Sequence, residues 1–254
     1  MTSFVVVIPA RYASTRFPGK ALAQLHGKSM VAHVVDRARE SGAAEVIVAT
    51  DDQRIADAVA GCDCAVAMTR TDHASGTDRI AEVTTQRGWS DDTIVVNAQG
   101  DEPLLPAALI GDVAAMLEKR PLAAIATACH PITDTAEFMD PNAVKVVLDA
   151  DQYALYFSRA PIPWPRDSFA SGPAALPREL PAYRHIGIYA YRCAFLRAYA
   201  ALAPVILEQF ESLEQLRALV HGYRIAVSVQ EYAPPPGIDT PDDLERVRGK
   251  TTRL

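Results

Sequence analysis

Short apolar runs alternate with amphipathic segments along the first half of the chain. Four runs of the kind that forms buried strands lie at 4–8, 45–49, 64–68 and 93–97. The segments that follow them have the residue spacing of helices, at 30–41, 52–60, 78–87 and 106–119. Four strand–helix repeats with continuously apolar strands are typical of a parallel sheet covered by helices on both faces. The pattern therefore predicts an α/β fold.

The alternation loosens after residue 120. Further strands are predicted at 123–129, 144–148, 153–157, 185–191 and 225–229, and further helices at 195–202, 209–221 and 240–248. The segment 159–183 holds six prolines and predicts a long loop, a kind of segment that is usually functional or mobile. We expect one α/β domain over 1–254 with a mixed second part.

The composition is that of an ordinary globular protein, with 254 residues of which 49% are hydrophobic and 22% charged. No apolar run approaches the roughly 18 residues that cross a membrane, and the N-terminus lacks the pattern of a signal peptide. We therefore expect a cytoplasmic protein with no membrane partner. The cysteines show no metal-binding spacing and are expected to be inert thiols; they are Cys62, Cys64, Cys129 and Cys193.

The charge is unevenly distributed along the chain. Residues 1–35 carry four cationic side chains and no Asp or Glu, whereas the whole chain carries −6, so the other 219 residues carry −10. The negative total argues against a general nucleic-acid binder. The local excess of cations predicts a bound anion near the N-terminus.

The loop after the first strand is the candidate site for that anion, because ligands of open α/β sheets bind at the carboxyl ends of strands. The loop offers backbone, hydroxyl and cationic groups that can bind phosphate oxygens. The residues that carry these groups are Ala10, Arg11, Ser14, Thr15, Arg16 and Lys20. A solvated surface loop is the alternative. Two familiar phosphate motifs are absent: Gly27-Lys28-Ser29 has Leu22 where a P-loop needs glycine, and no strand is followed by G-x-G-x-x-G.

Several segments together resemble one enzyme family, the 3-deoxy-D-manno-octulosonate (Kdo) cytidylyltransferases, or CMP-Kdo synthetases. They are PARYASTRFPGK, NAQGDEP, PNAVKVV, YALYFSRAPIPW, RHIGIYAYR, LEQLR and IDTPDDLERV, and the likeness runs from residue 4 to about 248. One small departure is Ala21, where related sequences often carry Pro. The resemblance implies the nucleotide-diphospho-sugar transferase fold and a homodimer that joins CTP to Kdo for lipopolysaccharide synthesis. It also implies a nucleotide-binding half at 1–120 and a half at 121–254 for sugar binding, dimerisation and the second metal carboxylate.

Two aspartates are candidate metal ligands, because Mg²⁺ binds nucleotide phosphates through one or two protein carboxylates. Asp101 follows a predicted strand and comes after Gly100, which lets backbone approach a ligand; Asp239 precedes a helix-start signal. Alternatively, Asp101 merely ends a strand and Asp239 caps the last helix. The resemblance implies that both ligate Mg²⁺. Glu102 and Asp242 or Asp243 are weaker candidates for the metal, and we expect them to be solvated instead.

The segment 70–79 is the candidate nucleobase loop. Its amides before a helix suit a base edge or an anion, although Ser-Gly-Thr-Asp is also a plain capping sequence. The resemblance implies that this loop, with Arg70, Ser75 and Gly76, contacts cytosine and that Gln99 lies near the sugar. The expected nucleotide-binding set therefore comprises Ala10, Arg11, Ser14, Thr15, Arg16, Lys20, Arg70, Ser75, Gly76 and Gln99.

The candidate sugar pocket draws on a strand and a helix. His185 and Tyr189 share one face of a strictly alternating strand, although a lone His is more often structural. In the predicted helix 209–221, apolar residues including Phe210 and Val220 mark a buried side, which leaves Glu211, Glu214 and Gln215 for a ligand or for solvent. The resemblance implies that Arg159 pairs with the Kdo carboxylate. It assigns the sugar hydroxyls to His185, Tyr189, Glu214 and Gln215, besides Gln99.

The expected reaction is attack of the sugar's anomeric hydroxyl on the α-phosphorus of CTP. Such transfers depend on charge stabilisation and positioning more than on covalent chemistry. Lys20, Arg11 and Asp101 are the expected catalytic residues, and no general base is evident. Two alternatives stay open: transfer to another acidic sugar such as sialic acid, and a nucleotide-binding protein that has lost turnover.

Overall fold

The structure is a computed structural model that describes residues 3–13, 17–73 and 75–249. A nine-stranded sheet forms the centre of this part of the chain. In chain order the strands are β1 (Phe4–Ala10), β2 (Gln24–Leu25), β3 (Lys28–Ser29), β4 (Glu45–Thr50), β5 (Ala65–Met68), β6 (Ile94–Asn97), β7 (Ala123–Pro131), β8 (Lys145–Leu148), β9 (Ala154–Ser158), β10 (Tyr183–Arg192) and β11 (Arg224–Val229). The order across the sheet is β11-β7-β10-β6-β1-β4-β5, β8 and β9 extend from β10, and β2 and β3 form a separate hairpin.

Helices follow most of the strands, as the periodicity predicts. They are α1 (Met30–Glu40), α2 (Gln53–Ala58), α3 (Gly76–Arg87), α4 (Ala107–Lys119), α5 (Thr135–Met139), α6 (Cys193–Tyr199), α7 (Ile206–Glu211), α8 (Gln215–Val220) and α9 (Pro241–Gly249). A 3₁₀ turn at Lys20–Leu22, the β2–β3 hairpin and α5 have no counterpart in the prediction, because elements this short carry too few residues to show a period.

The continuous apolar run of β1 has a simple cause: both faces of the strand are buried. Val6 and Ile8 belong to a core cluster with α1 and α4, whereas Val5 and Val7 belong to a second cluster with α3 and α6. β1 pairs in parallel with β4 and with β6. The predicted parallel sheet with helices on both faces is therefore confirmed for this half of the chain.

β10 joins the two halves of the sheet. It lies antiparallel between β6 and β7, and its pairing with β7 is interrupted by a bulge between Ile186 and Tyr189. The single hydroxyl proton of buried Thr127 is shared between the carbonyls of Ile186 (3.1 Å) and Ile188 (2.7 Å) within this bulge. Bulges re-aim side chains next to active sites. Here the bulge lies between His185 and Tyr189, the two candidate sugar-binding residues of the strand.

The predicted helix 209–221 is wrong as a single helix. Ser212 adopts a left-handed backbone (φ 50°) that separates α7 from α8. The expected buried side therefore breaks up as well: Leu213 and Leu216 are buried, but Phe210 is 87% exposed and Val220 is 52% exposed. The break places Glu211 in α7 and Glu214 just before α8, and the two carboxylates have different neighbours.

Replacing Thr127 by valine tests the bulge. The change keeps the volume but leaves two carbonyls without their buried donor, which costs about 1–3 kcal/mol. We expect Thr127→Val to lower the free energy of unfolding in urea by that amount. Thr84→Val is the matched control, because the equally buried Thr84 hydroxyl donates only to Ala81 within its own helix. Equal losses in both variants would contradict a special role for the bulge.

Candidate functional site

A cavity of about 390 Å³ opens beside the carboxyl ends of β1 and β6. Ten of the sequence-predicted site residues line it: Ala10, Arg11, Lys20, Ser75, Gly76, Gln99, Asp101, Tyr189, Glu214 and Gln215. Arg70, Arg159, His185 and Asp239 do not line it. Ser14, Thr15 and Arg16 lie outside the described residues.

The ammonium of Lys20 lies between two carboxylates. Its Nζ is 2.5 Å from Oδ2 of Asp101 and 3.1 Å from Oδ1 of Asp239. The side chain of Lys20 is only 14% exposed, so these pairs are shielded from water more than surface salt bridges are. Asp239 therefore belongs to the site although it does not line the cavity.

Close backbone contacts bring the loops of this charged group together. The N–H of Ile238 donates to the carbonyl of Asp101 at 3.0 Å, which places Asp239 beside it. A Cβ on Gly100 would lie 3.2 Å from the carbonyl oxygen of Pro9. The glycine therefore allows close approach to the end of β1, whereas the sequence suggested an approach to a ligand.

The last helix is not capped by Asp239. Thr240 and Asp243 form the cap, since the Thr240 hydroxyl accepts from the amide of Asp243 and the Asp243 carboxylate accepts from the amide of Thr240. Asp243 is thus engaged in the cap rather than simply solvated. The Asp239 carboxylate is directed to Lys20 instead. The capping role that the sequence left open for Asp239 is therefore wrong.

Asp101 and Asp239 fit a magnesium ion by their chemistry, because both carboxylates already converge on one cationic atom. No group of three His, Cys, Asp or Glu side chains arranged as metal ligands occurs among the described residues. A metal bound here would therefore need oxygen atoms from a ligand or water. Glu102 is not simply solvated as expected: burial, then Asp101 and Asp239, raise its pKa to about 7.

The loop after β1 carries Arg11 and Lys20 and is called the cationic loop below. It is closed at its base around Tyr12. Gly19 adopts a positive φ of 70°, and its N–H donates to the carbonyl of Tyr12 at 3.0 Å. The guanidinium of Arg54 covers the Tyr12 ring at 3.4 Å from its centroid. These contacts fix the two ends of the loop, and with them Arg11 and Lys20.

The candidate nucleobase loop is also a helix cap. Ser75 and Asp78 form a capping box at the start of α3, as the alternative interpretation expected. The Ser75 hydroxyl also lies 3.2 Å from Oε1 of Glu214. Arg70 is exposed and pairs with Asp72, away from the cavity.

Sequence reasoning missed Arg79 in the same segment. Its guanidinium is buried, lines the cavity, and donates to Asp51 at 2.8 Å and to the hydroxyl of Thr69. Arg79 lies in the first turns of α3, at the end of the segment 70–79, but is not among the predicted site residues. A cation in a helix four residues after its N-cap is the only signal that the sequence offered.

His185 lies behind Tyr189 rather than in the cavity. Its ring centroid is 5.4 Å from that of Tyr189 and 4.9 Å from that of Phe157, and its Nε2 lies 2.9 Å from the Thr127 hydroxyl. Because the one proton of that hydroxyl points to the bulge carbonyls, we assign Nε2–H of His185 as the donor to the hydroxyl oxygen. Burial lowers the pKa of His185 from 6.5 to about 3, and the imidazole is neutral at pH 7.

Glu214 and Gln215 are not on a solvated helix face. Oε1 of Glu214 accepts from the hydroxyl of Tyr199 at 2.7 Å. Gln215 is 8% exposed, and its buried Nε2 has no hydrogen-bond partner among the described residues. Gln99 donates to the carbonyl of Gly187 in the bulge at 2.8 Å. The free donor of Gln215 makes it available to a ligand in the cavity.

Two further predictions concern the cysteine thiols and membrane-spanning helices. Burial raises the pKa of Cys64 to about 11 and that of Cys129 to about 12, so both thiols are protonated and unreactive at pH 7. All four cysteines are free. Within the described ranges, no helix combines the length and the apolar character needed to cross a bilayer.

Comparison with known proteins places the chain among cytidylyltransferases. The cytidylyltransferase family model matches residues 5–225. A solved CMP:2-keto-3-deoxy-manno-octonic acid synthetase in complex with CTP is 44% identical, covers 97% of each chain and superposes with a TM-score of 0.87. The expected nucleotide-diphospho-sugar transferase fold is thereby confirmed.

Two more distant structures share the fold alone. A 4-diphosphocytidyl-2C-methyl-D-erythritol synthase from Anaerococcus prevotii is 14% identical, with a TM-score of 0.60 and full coverage of both chains. A cytidylyltransferase from Leptospira borgpetersenii is 13% identical, with a TM-score of 0.62 over 98% of this chain and 85% of its own.

The low pKa of His185 predicts a specific pH dependence of stability. Below pH 6.5 the unfolded chain takes up a proton that folded His185 refuses, so stability falls with pH by up to about 1.4 kcal/mol per unit. Between pH 7 and pH 5 we expect the wild type to lose about 2 kcal/mol more than His185→Gln in urea unfolding. His221→Gln, at an exposed histidine, is the control and should behave as the wild type. Parallel losses in wild type and His185→Gln would contradict a neutral imidazole at His185.

Proposed function

We propose that this chain, which belongs to the cytidylyltransferase family, transfers a cytidylyl group from CTP to Kdo and releases pyrophosphate. The observation that carries the proposal is the convergence of Lys20, Asp101 and Asp239 beside a cavity that Tyr189 and Gln215 also line. Charged groups suited to a triphosphate and polar groups suited to a sugar acid thus belong to one site. The 44% identity to a synthetase that makes the CMP derivative of 2-keto-3-deoxy-manno-octonic acid supports this acceptor.

The triphosphate is assigned to the cationic loop. Arg11 and Lys20 both line the cavity and supply positive charge to phosphate oxygens. In-line attack of the anomeric hydroxyl on the α-phosphorus forms the new P–O bond and expels pyrophosphate. Charge stabilisation and orientation account for most of the rate in such transfers, so fixed cations matter more than a protein nucleophile.

Asp101 and Asp239 are assigned to a magnesium ion. When bound, the ion supplies charge neutralisation at the phosphates. The two carboxylates hold Lys20 in its present place through 2.5 and 3.1 Å contacts. Lys20 therefore lies beside both acidic groups at the site proposed for the phosphates.

The sugar acid is assigned to the polar groups beyond the nucleotide. Tyr189, Glu214 and Gln215 line the cavity and present hydroxyl, carboxylate and amide groups for sugar hydroxyls. Arg159, which does not line the cavity, is assigned to the sugar carboxylate on the strength of the family resemblance. His185 contributes by keeping Tyr189 in position from behind and adds no charge, because its imidazole is neutral.

The proposal extends to the setting of the enzyme. The half at 1–120 binds the nucleotide, and the half at 121–254 binds the sugar and carries the dimer contact. The protein works as a cytoplasmic homodimer whose product enters lipopolysaccharide synthesis. The 97% coverage of both chains in the match to the CMP-linked sugar acid synthetase supports assigning both halves to one such enzyme.

Pyrophosphate release tests the proposed reaction. With CTP, Mg²⁺ and Kdo we expect stoichiometric pyrophosphate, which EDTA abolishes and added Mg²⁺ restores. Release with sialic acid but not with Kdo would contradict the acceptor. No release with any acidic sugar, despite CTP binding, would favour a nucleotide-binding protein without turnover.

Asp101→Asn tests the metal assignment. The amide is a poorer magnesium ligand and leaves Lys20 with one carboxylate fewer, so we expect kcat/KM to fall about a hundredfold or more and the Mg²⁺ requirement to rise. Asp242→Asn is the control, since Asp242 is exposed at the start of α9. Full Mg²⁺-dependent activity in Asp101→Asn would remove the assignment.

A further inference from the structure

Lys145 is a fully buried cation that the proposed reaction does not use. It lies at the start of β8 with no exposed surface. Its Nζ donates to three backbone carbonyls, those of Asp140 at 2.9 Å, Ala143 at 2.5 Å and Arg159 at 2.8 Å. Burial lowers the pKa of Lys145. An ammonium buried among neutral carbonyls is costly unless each donor is satisfied, and here three acceptors match three donors.

Glu211, at the end of α7, binds the segment that contains Ser158 and Arg159. Its Oε1 accepts from the hydroxyl of Ser158 at 2.6 Å, and its Oε2 accepts from the backbone N–H of Arg159 at 2.9 Å. The backbone of Arg159 is thus held on both sides: its N–H by the Glu211 carboxylate and its carbonyl by the Lys145 ammonium. Charge-assisted hydrogen bonds of this kind are stronger than neutral ones.

The guanidinium of Arg159 is held by two backbone carbonyls of the neighbouring segments. Its Nε donates to the carbonyl of Glu211 at 2.7 Å, and its Nη1 donates to the carbonyl of Pro141 at 2.9 Å. Pro141 lies in the turn that Lys145 binds through Asp140 and Ala143. Nη2 of Arg159 has no hydrogen-bond partner among the described residues. The other two guanidinium nitrogens therefore hold Nη2 in place, and the side chain is only partly buried.

We propose that Lys145 and Glu211 are positioning residues that form a clamp on Arg159 and thereby set the affinity for the acceptor's carboxylate. The inference rests on the proposed function, which assigns that carboxylate to Arg159. Planar recognition of a carboxylate by arginine depends on orientation, and small displacements of a positioned group are costly in catalysis. The clamp therefore acts on the sugar substrate and leaves the nucleotide loop, which lies in other segments, unaffected.

Three variants test the clamp. Lys145→Met removes the ammonium, and Glu211→Gln weakens the other side with little change of volume. Val146→Ala is the matched control, because Val146 is the equally buried neighbour of Lys145 in β8 and contacts the core instead. Should Lys145→Met fail to fold, Glu211→Gln carries the test alone.

Three readouts are compared: the KM for Kdo, the Kd of CTP, and amide hydrogen exchange across 158–163. We expect both clamp variants to raise the KM for Kdo about tenfold or more and to change the Kd of CTP by less than about twofold. Exchange across 158–163 should accelerate in both. Val146→Ala should lower the melting temperature without moving any of the three readouts.

Two results would overturn the clamp: an unchanged KM for Kdo in Glu211→Gln, or an equal rise of that KM in Val146→Ala. A different result identifies failure of the proposed function. If the wild type binds CTP but releases no pyrophosphate with Kdo, the proposed function is wrong, and the effect of the clamp on Kdo affinity is wrong with it. The hydrogen-exchange comparison still reports on the clamp itself, and unchanged exchange in Glu211→Gln would contradict it.

Discussion

The candidate site depends on one ion-paired group, the Lys20 ammonium between the carboxylates of Asp101 and Asp239. Asp101 and Asp239 lie 81 and 219 positions after Lys20 along the chain. The sheet makes their meeting possible, because β1 and β6 are parallel neighbours and their carboxyl ends lie side by side. The third loop reaches them through the hydrogen bond of Ile238 to the Asp101 carbonyl. The site is therefore complete only when both halves of the sheet are folded.

The same group explains the uneven charge of the chain. The first 35 residues carry a net +4 and the rest carry −10, and the two kinds of charge meet at Lys20. Bringing carboxylates together without a cation is unfavourable, and the raised pKa of nearby Glu102 shows how strongly burial and like charges act there. A triphosphate with a metal ion suits this site, because Lys20 can pair with the phosphates while Asp101 and Asp239 pair with the metal ion.

The sequence predicted the fold well where both faces of a strand are buried, as in β1, since the apolar run is continuous there. It failed where one residue changes the backbone direction: the left-handed Ser212 splits the predicted helix and exposes Phe210. The family resemblance identified Arg159 as a candidate site residue. It did not identify Lys145 and Glu211, which bind the backbone of Arg159. Lys145 could not be predicted as buried, because its three acceptors are backbone carbonyls that only the tertiary structure brings together.

The central claim is that this site joins a nucleotide to a sugar acid rather than merely binding or hydrolysing CTP. Phosphorus NMR of a reaction with CTP, Mg²⁺ and Kdo tests it most directly, because it follows every phosphorus atom. The account predicts that the three CTP signals give way to one phosphodiester signal, belonging to CMP joined to Kdo, and to pyrophosphate in equal amounts. Appearance of free CMP with pyrophosphate, without a phosphodiester, would contradict it.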